Sequence, residues 1–213
     1  MEKVDFKKVD KAFYSGKVGR FDLLDVPKMS FLSIKGAGDP NTSPDYTRAI
    51  AALYGLSYGL KFHCKKTLEK DHVVPPMEGL WWADDMRDFV VRNKSAWKWQ
   101  MMIRQPGWVN NAMFAEVLEV VIGKTSKKKA AATDAETLRA VKLGQISEGL
   151  SVQTLHVGAY DDEGPVLAEM HEQFIPDNSL EMAGRHHEVY LGDPRKVPPE
   201  KLKTLLRQPV IKV

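Results

Sequence analysis

The same order of elements is legible twice in this chain, and a duplication constrains the fold more tightly than any single motif. Each pass runs strand, glycine-containing turn, helix, strand, strand. In the first pass Met29-Ser30-Phe31-Leu32-Ser33-Ile34 reads as a strand, ended by Gly36, Gly38, Asp39 and Pro40. Ser43 and Pro44 then start a helix over about 45–65, with Ile50, Leu53, Tyr54, Leu56, Leu60 and Phe62 in helical periodicity. Strands follow at 79–83 and 96–104. In the second pass a strand over 151–157 stops at Gly158. A helix over 163–174 carries Val166, Leu167, Met170 and Phe174 on one stripe, and strands follow at 187–191 and 202–207.

Local identities mark the repeat. Lys35-Gly36-Ala37-Gly38-Asp39 answers Val157-Gly158-Ala159-Tyr160-Asp161, and Arg104-Gln105-Pro106 answers Arg207-Gln208-Pro209. The middle strands, Leu80-Trp81-Trp82-Ala83-Asp84-Asp85 and Glu188-Val189-Tyr190-Leu191-Gly192-Asp193, align with Trp82 opposite Tyr190. The two passes are joined by a helix over 111–122, a weakly ordered stretch at 124–133 and a short helix at 135–143. Residues 1–16 read as a charged N-terminal extension.

Composition excludes several function classes. The chain has 213 residues with 43% hydrophobic and 28% charged, as a soluble globular protein has. A net charge of +3, with basic residues interleaved among acidic ones, gives no nucleic-acid signal. The run Lys127-Lys128-Lys129 beside Ala130-Ala131-Ala132 reads as a solvated loop. The lone Cys64 forbids an internal disulfide and fits a reducing cytoplasm. No signal peptide and no membrane-length apolar window is visible, so no membrane partner is expected. His63, His72, His156 and His171 lack ligand spacing, and His186 and His187 would face opposite ways on a strand. No phosphate-binding glycine loop, zinc-protease helix motif or serine nucleophile elbow occurs. Neither metal nor cofactor is expected.

The chemistry-bearing stretch is His186-His187-Glu188-Val189-Tyr190-Leu191-Gly192-Asp193-Pro194. Residues two apart on a strand share a face, so Glu188 and Tyr190 project side by side. Glu188 has two readings: a strand carboxylate solvated or paired with Arg185 or a lysine, or a carboxylate in an aromatic cleft. In a cleft it holds a cation or acts as a base. The five tryptophans, Trp81, Trp82, Trp97, Trp99 and Trp108, fall within 28 positions. Each alone reads as core; together they fit an aromatic-walled pocket for flat, apolar or cationic molecules.

The segments HHEVYLGDPRKVPPEKLKTLLRQPV, QTLHVGAYDDEGPVLAEMHE and EGLWWADD resemble the GyrI-like small-molecule-binding proteins, most closely a free-standing branch without a DNA-binding domain. The resemblance covers about 20–210. It implies an α+β fold of tandem βαββ modules with an antiparallel sheet, related by pseudo-two-fold symmetry, with a ligand groove between modules. The modules would span about 20–106 and 146–210, with a helical connection at 107–145, all in one domain over 17–213. The branch implies cyclopropanoid cyclopropyl hydrolase activity, water opening the strained ring of DNA-alkylating compounds inside an aromatic cage. Carried onto this sequence, Glu188 and Tyr190 are the catalytic candidates. Trp82, Trp99 and Trp108 are the ligand-binding candidates, with Trp97 able to replace Trp99. The expected partner is a hydrophobic or cationic small molecule. A non-catalytic drug-binding protein is the alternative.

Overall fold

The computed structural model describes residues 3–85 and 87–213. Met1 and Glu2, the start of the expected extension, lie outside the described residues. In chain order the strands are β1 (Lys3–Val4), β2 (Asp22–Val26), β3 (Met29–Ala37), β4 (Asp71–His72), β5 (Met77–Trp82), β6 (Lys98–Gln105), β7 (Lys142–Ile146), β8 (Gly149–Val157), β9 (Leu180–Met182), β10 (His186–Tyr190) and β11 (Lys203–Lys212). The helices are α1 (Phe6–Val9), α2 (Pro44–Thr67), α3 (Arg87–Val90), α4 (Asn111–Thr125), α5 (Ala135–Ala140), α6 (Gly164–Ala168) and α7 (Ile175–Asp177). The fold is α+β with antiparallel sheets; the two-residue β1–β4 pair is parallel.

The chain forms two compact units, each assembled from separated stretches. Unit 1 comprises β1 with Met29–Pro75 and Ala83–Ile146. In it β3 is the middle strand, paired with β6 on one side and β7 on the other. The 24-residue α2 lies on β3 and β6 and buries Ala49, Ala52, Leu53, Leu56, Leu60 and Cys64. Its start is the expected one: the Ser43 hydroxyl accepts from the Tyr46 N–H and Pro44 takes the first turn. Asn110 and Asp134 cap α4 and α5 in the same way, and residues 126–134 between them form neither helix nor strand.

Unit 2 comprises Phe6–Lys28, Pro76–Trp82 and Ser147–Val213. Its strands run in the order β2-β8-β11-β10-β5, with β9 added on the far end of β11. The central β11 is buried along Thr204–Val210, as a strand covered on both faces must be. On one face, Val152, Leu206 and Val210 pack against Met170, Ile175 and Leu180, so the helical segment from Gly164 to Asp177 covers that face. That segment differs from the continuous α-helix expected at 163–174: Glu169–Phe174 is π-helical. Pro176 lies just beyond, in the short α7, and has no N–H to give Glu172, so the α-ladder lacks that bond.

The stretch read as an extension gives β1 to unit 1 and from Phe6 on belongs to unit 2, where residues 12–16 lie on the opposite face of the sheet. It folds as α1 and a 3₁₀ turn at Lys11–Tyr14, with Phe6 and Tyr14 buried. Gly16 sits against Leu205 and the Leu155 backbone, close enough that a Cβ would crowd both. The segment is charged in sequence because its lysines are exposed, while Phe6 and Tyr14 are buried and Phe13 is half-buried.

Candidate functional site

Strand β10 carries the site because its two faces carry different chemistry. It lies antiparallel between β11 and β5, with Glu188 opposite Leu206 and Gly79, and Tyr190 opposite Thr204 and Met77. Glu188 and Tyr190 therefore share the helix-covered face, as the sequence expects. The Tyr190 hydroxyl donates to Glu188 Oε2 at 2.7 Å and accepts from Trp81 Nε1 at 2.8 Å. Across the carboxylate, His186 Nε2 lies 3.3 Å from Glu188 Oε1. The Glu188 side chain is 13% exposed and that of His186 10%. A carboxylate this far from water needs partners, and these groups supply them.

Aromatic and imidazole groups frame the pair. Tyr160 meets Tyr190 edge-on at 5.5 Å between centroids, and His171, from the π-helical turn, meets His186 edge-on at 6.2 Å. Burial, and then the nearby His186 imidazole, push the His171 imidazole down to about 4, so it is neutral at neutral pH. His171 Nε2 and Thr204 Oγ1 are buried without a hydrogen-bond partner. The whole is a fixed carboxylate with its tyrosine, beside neutral imidazole and aromatic edges. It can hold a cation or take a proton from a water.

The alignment of the two repeats sets Trp82 against Tyr190, and here the structure differs by one residue. The register His186↔Trp81 and Tyr190↔Met77 puts Trp81 on the face of Glu188 and Tyr190. Trp82 goes to the opposite face, because a one-residue slip in a strand reverses every side chain. There the Arg185 guanidinium stacks over its ring at 3.7 Å.

The remaining tryptophans belong to unit 1. Trp99 is 1% exposed, edge-on to Tyr46 at 5.2 Å. Its ring presses on Gly36, where a Cβ would fall 2.1 Å from the indole. Trp108 lies edge-on to His72 at 6.3 Å, with Lys70 5.3 Å above its ring. Trp97 stacks on Phe89 at 4.7 Å and donates to the Asp88 carbonyl at 3.3 Å. Unit 1 holds a cavity of about 310 Å³ lined in part by Trp99, Gly36, Arg48, Asp134 and Glu136. Trp81, Glu188 and Tyr190 thus lie together in unit 2, and Trp99 and Trp108 are separate features of unit 1.

The other face of β10 holds a group of residues that the sequence reading did not select. His187 is fully buried between two carboxylates. Its Nδ1 lies 2.8 Å from Glu148 Oε1, and its Nε2 lies 2.9 Å from Glu78 Oε2 in an ion-pair approach rather than a straight hydrogen bond. Glu148 Oε2 also accepts from Arg207 at 2.9 Å, and Arg207 donates twice to Gln153 Oε1 and once to the Phe13 carbonyl. Gln153 donates to the Ala12 and Ser15 carbonyls, and the Tyr14 hydroxyl donates to Glu78 Oε1 at 3.0 Å. Burial alone would push the His187 imidazole down, but Glu148 and Glu78 outweigh it and hold it up at about 9. Burial would raise the Glu148 carboxyl, but His187 and Arg207 outweigh that and bring it down to about 2. Two anions and two cations then balance in a dry site. Among the described residues no group of three or more acids, histidines or cysteines is arranged to hold a metal, and no helix is long and apolar enough to cross a membrane.

Solved structures resemble this one. A conserved protein from Listeria innocua is 37% identical with a TM-score of 0.86, over 98% of this chain and all of that one. A hydrolase from the same organism is 36% identical with a TM-score of 0.82, over 98% and 100%. A hydrolase encoded by its lin2189 gene is 36% identical with a TM-score of 0.83, over 99% and 100%. None of the curated proteins compared matches the chain. The profile of the GyrI-like small-molecule-binding domain matches residues 20–211, nearly the whole length, and the chain belongs to that family.

Proposed function

We propose that this protein binds flat, hydrophobic or cationic small molecules against the Trp81–Tyr190–Glu188 face and opens the cyclopropane ring of cyclopropanoid DNA-alkylating compounds with water. One observation carries the reading: a nearly buried carboxylate held by a tyrosine that is itself held by an indole. The two Listeria hydrolases, at 36% identity over the full length, support a hydrolytic reaction.

The chemistry fits these groups. In such a compound a cyclopropane is conjugated to a dienone. The water oxygen bonds to the ring CH₂ as the strained C–C bond breaks. That electron pair passes into the dienone, whose carbonyl oxygen becomes a phenol and gains a proton. Glu188 accepts the proton that the water gives up. Positive character builds on the attacked carbon, and the carboxylate and aromatic faces lower its energy. The sum adds one water, with no redox change and no covalent enzyme intermediate. This reading carries with it a cytoplasmic setting, in keeping with a lone, buried free thiol.

The test is incubation with a cyclopropapyrroloindole-type compound and mass detection of the water adduct. Wild type produces adduct well above the spontaneous rate and Glu188→Ala does not. Equal rates with wild type and Glu188→Ala sink the proposal. Saturable quenching of tryptophan fluorescence, with the compound recovered unchanged, identifies binding without turnover instead.

A further inference from the structure

The polar groups behind β10 form a closed ring. It runs from Tyr14 to Glu78, His187, Glu148, Arg207 and Gln153, and returns to the Ala12 and Ser15 carbonyls, within two residues of where it began. Each strand from β5 through β10 and β11 to β8 contributes one member, and Glu148 adds the residue just before β8. Residues 12–15 close it.

A buried ionic ring is an expensive way to gain stability, because desolvating four charges offsets most of their attraction. What such a ring supplies well is register. His187 is gripped at both ring nitrogens within 2.9 Å by carboxylates from two other segments. A one-residue slide of β10 on β5 would carry its imidazole to the opposite face and leave both carboxylates buried without it. The next residue along the backbone is Glu188. On β5, Glu78 anchors the back of the strand that presents Trp81 at the front.

We propose that the segment Lys11–Ser15 is a positioning latch for the ligand face: closing the ring fixes β10 on β5, and with them the spacing of Trp81, Tyr190 and Glu188. Tyr14, Glu78, His187 and Arg207 are positioning residues that never meet the ligand. The inference rests on the reading that ligand meets the Glu188 face, but the latch itself is a property of the free protein. Tyr14 is its lightest handle, since Tyr14→Phe removes one hydroxyl, opens the ring at Glu78 and leaves its four charged side chains in place.

The deciding measurement is the ¹H–¹⁵N spectrum of the five tryptophan indoles in the full chain, with Trp81 assigned by its loss in Trp81→Phe. In Tyr14→Phe the Trp81 indole resonance shifts, because its bond to Tyr190 changes length although the substitution is on the other face. A purely structural latch lowers Tm and leaves that resonance in place, and this outcome overturns the proposal. The second arm titrates N-methylacridinium, a flat aromatic cation, by fluorescence. Tyr14→Phe weakens it about fivefold or more, a usual coupling size between sites; unchanged affinity alongside binding by wild type overturns the proposal. If wild type does not bind the probe, the ligand-face reading has failed, and the indole shift still decides the latch.

Discussion

Trp81 donates its indole N–H to the Tyr190 hydroxyl at 2.8 Å, across the β5–β10 pair. Tyr190 in turn spends its own hydrogen on Glu188. Tyr190→Phe breaks both links at once and leaves a buried indole donor without its acceptor. The expected cost is about 1–3 kcal/mol of stability. With Glu188 free to turn, water addition to a cyclopropanoid compound falls by roughly 10²-fold. Calorimetry and single-turnover adduct formation measure the two effects; an unchanged rate with lowered Tm denies Tyr190 its part in the chemistry.

The adjacent tryptophans separate cleanly by mutation. Trp81→Phe removes the indole donor to Tyr190 and lowers both affinity and turnover. Trp82→Phe keeps an aromatic surface beneath Arg185 and leaves turnover within about twofold, because on the strand it points away from Glu188 and Tyr190. The reverse ranking in steady-state kinetics would return the site to the face of Trp82.

Alkali weakens the fold through His187. Its pKa is raised from 6.5 to about 9, so its contribution is complete below 6.5 and is lost as pH rises through about 9. Over that window Tm declines, and the pH-dependence of unfolding free energy approaches 1.4 kcal/mol per unit for one proton. Urea unfolding at intervals from pH 6 to 10 reads the slope. In His187→Gln the alkaline decline disappears, on a protein less stable at every pH.

Acid acts through different groups. Burial pushes His171 and His72 down from 6.5 to about 4, so the folded state prefers both neutral. Their contribution is complete above 6.5 and is lost as pH falls toward 4. Glu148, lowered from 4.5 to about 2, extends the loss below pH 4.5. The same unfolding series carried to pH 3 gives a steeper acid limb than alkaline limb, and His171→Leu flattens it by about one proton between pH 6.5 and 4.

Gly36→Ala strikes the core of unit 1. The new methyl would lie 2.1 Å from the Trp99 ring, whose indole is fully enclosed. Overpacking of this kind costs about 1–3 kcal/mol or more. Thermal unfolding followed by tryptophan fluorescence shows a lower midpoint. Gly36→Ala with Trp99→Leu recovers part of the loss, because the smaller side chain returns the space.

Local chemistry made much of the fold legible. Ser43 and Pro44 marked the start of α2, and alternation marked β3, β6 and β10 to within a few residues. The Glu188–Tyr190 pairing followed from the strand period alone. What the sequence left open depended on partners far along the chain. Two adjacent tryptophans, Trp81 and Trp82, match Tyr190 equally well by type, and only the pairing of β5 on β10 chooses between them. Glu78 and Glu148 carry no mark in the sequence, His187 reads only as a histidine without ligand spacing, and Arg207 only as part of the repeated Arg-Gln-Pro. Their burial comes from one another, across separations as large as 129 residues between Glu78 and Arg207. Tyr14 was hidden by the lysines around it, and the π-helical turn has no sequence mark beyond the proline after it.

Unit 2 draws its strands from residues 22–26, 77–82 and everything after 149, and this sets an order for its birth on the ribosome. Strands β2 and β5 emerge early, with no neighbour of their own unit yet made. Their partners β8 and β10 arrive more than a hundred residues later, and the central β11 comes last of the strands. During synthesis, at about 5–20 residues per second, the nascent protein therefore carries two strands whose partners in unit 2 are not yet made. The charged residues in and just before β2, Lys17, Arg20, Asp22 and Asp25, are of the kind that discourage an unpaired strand from associating.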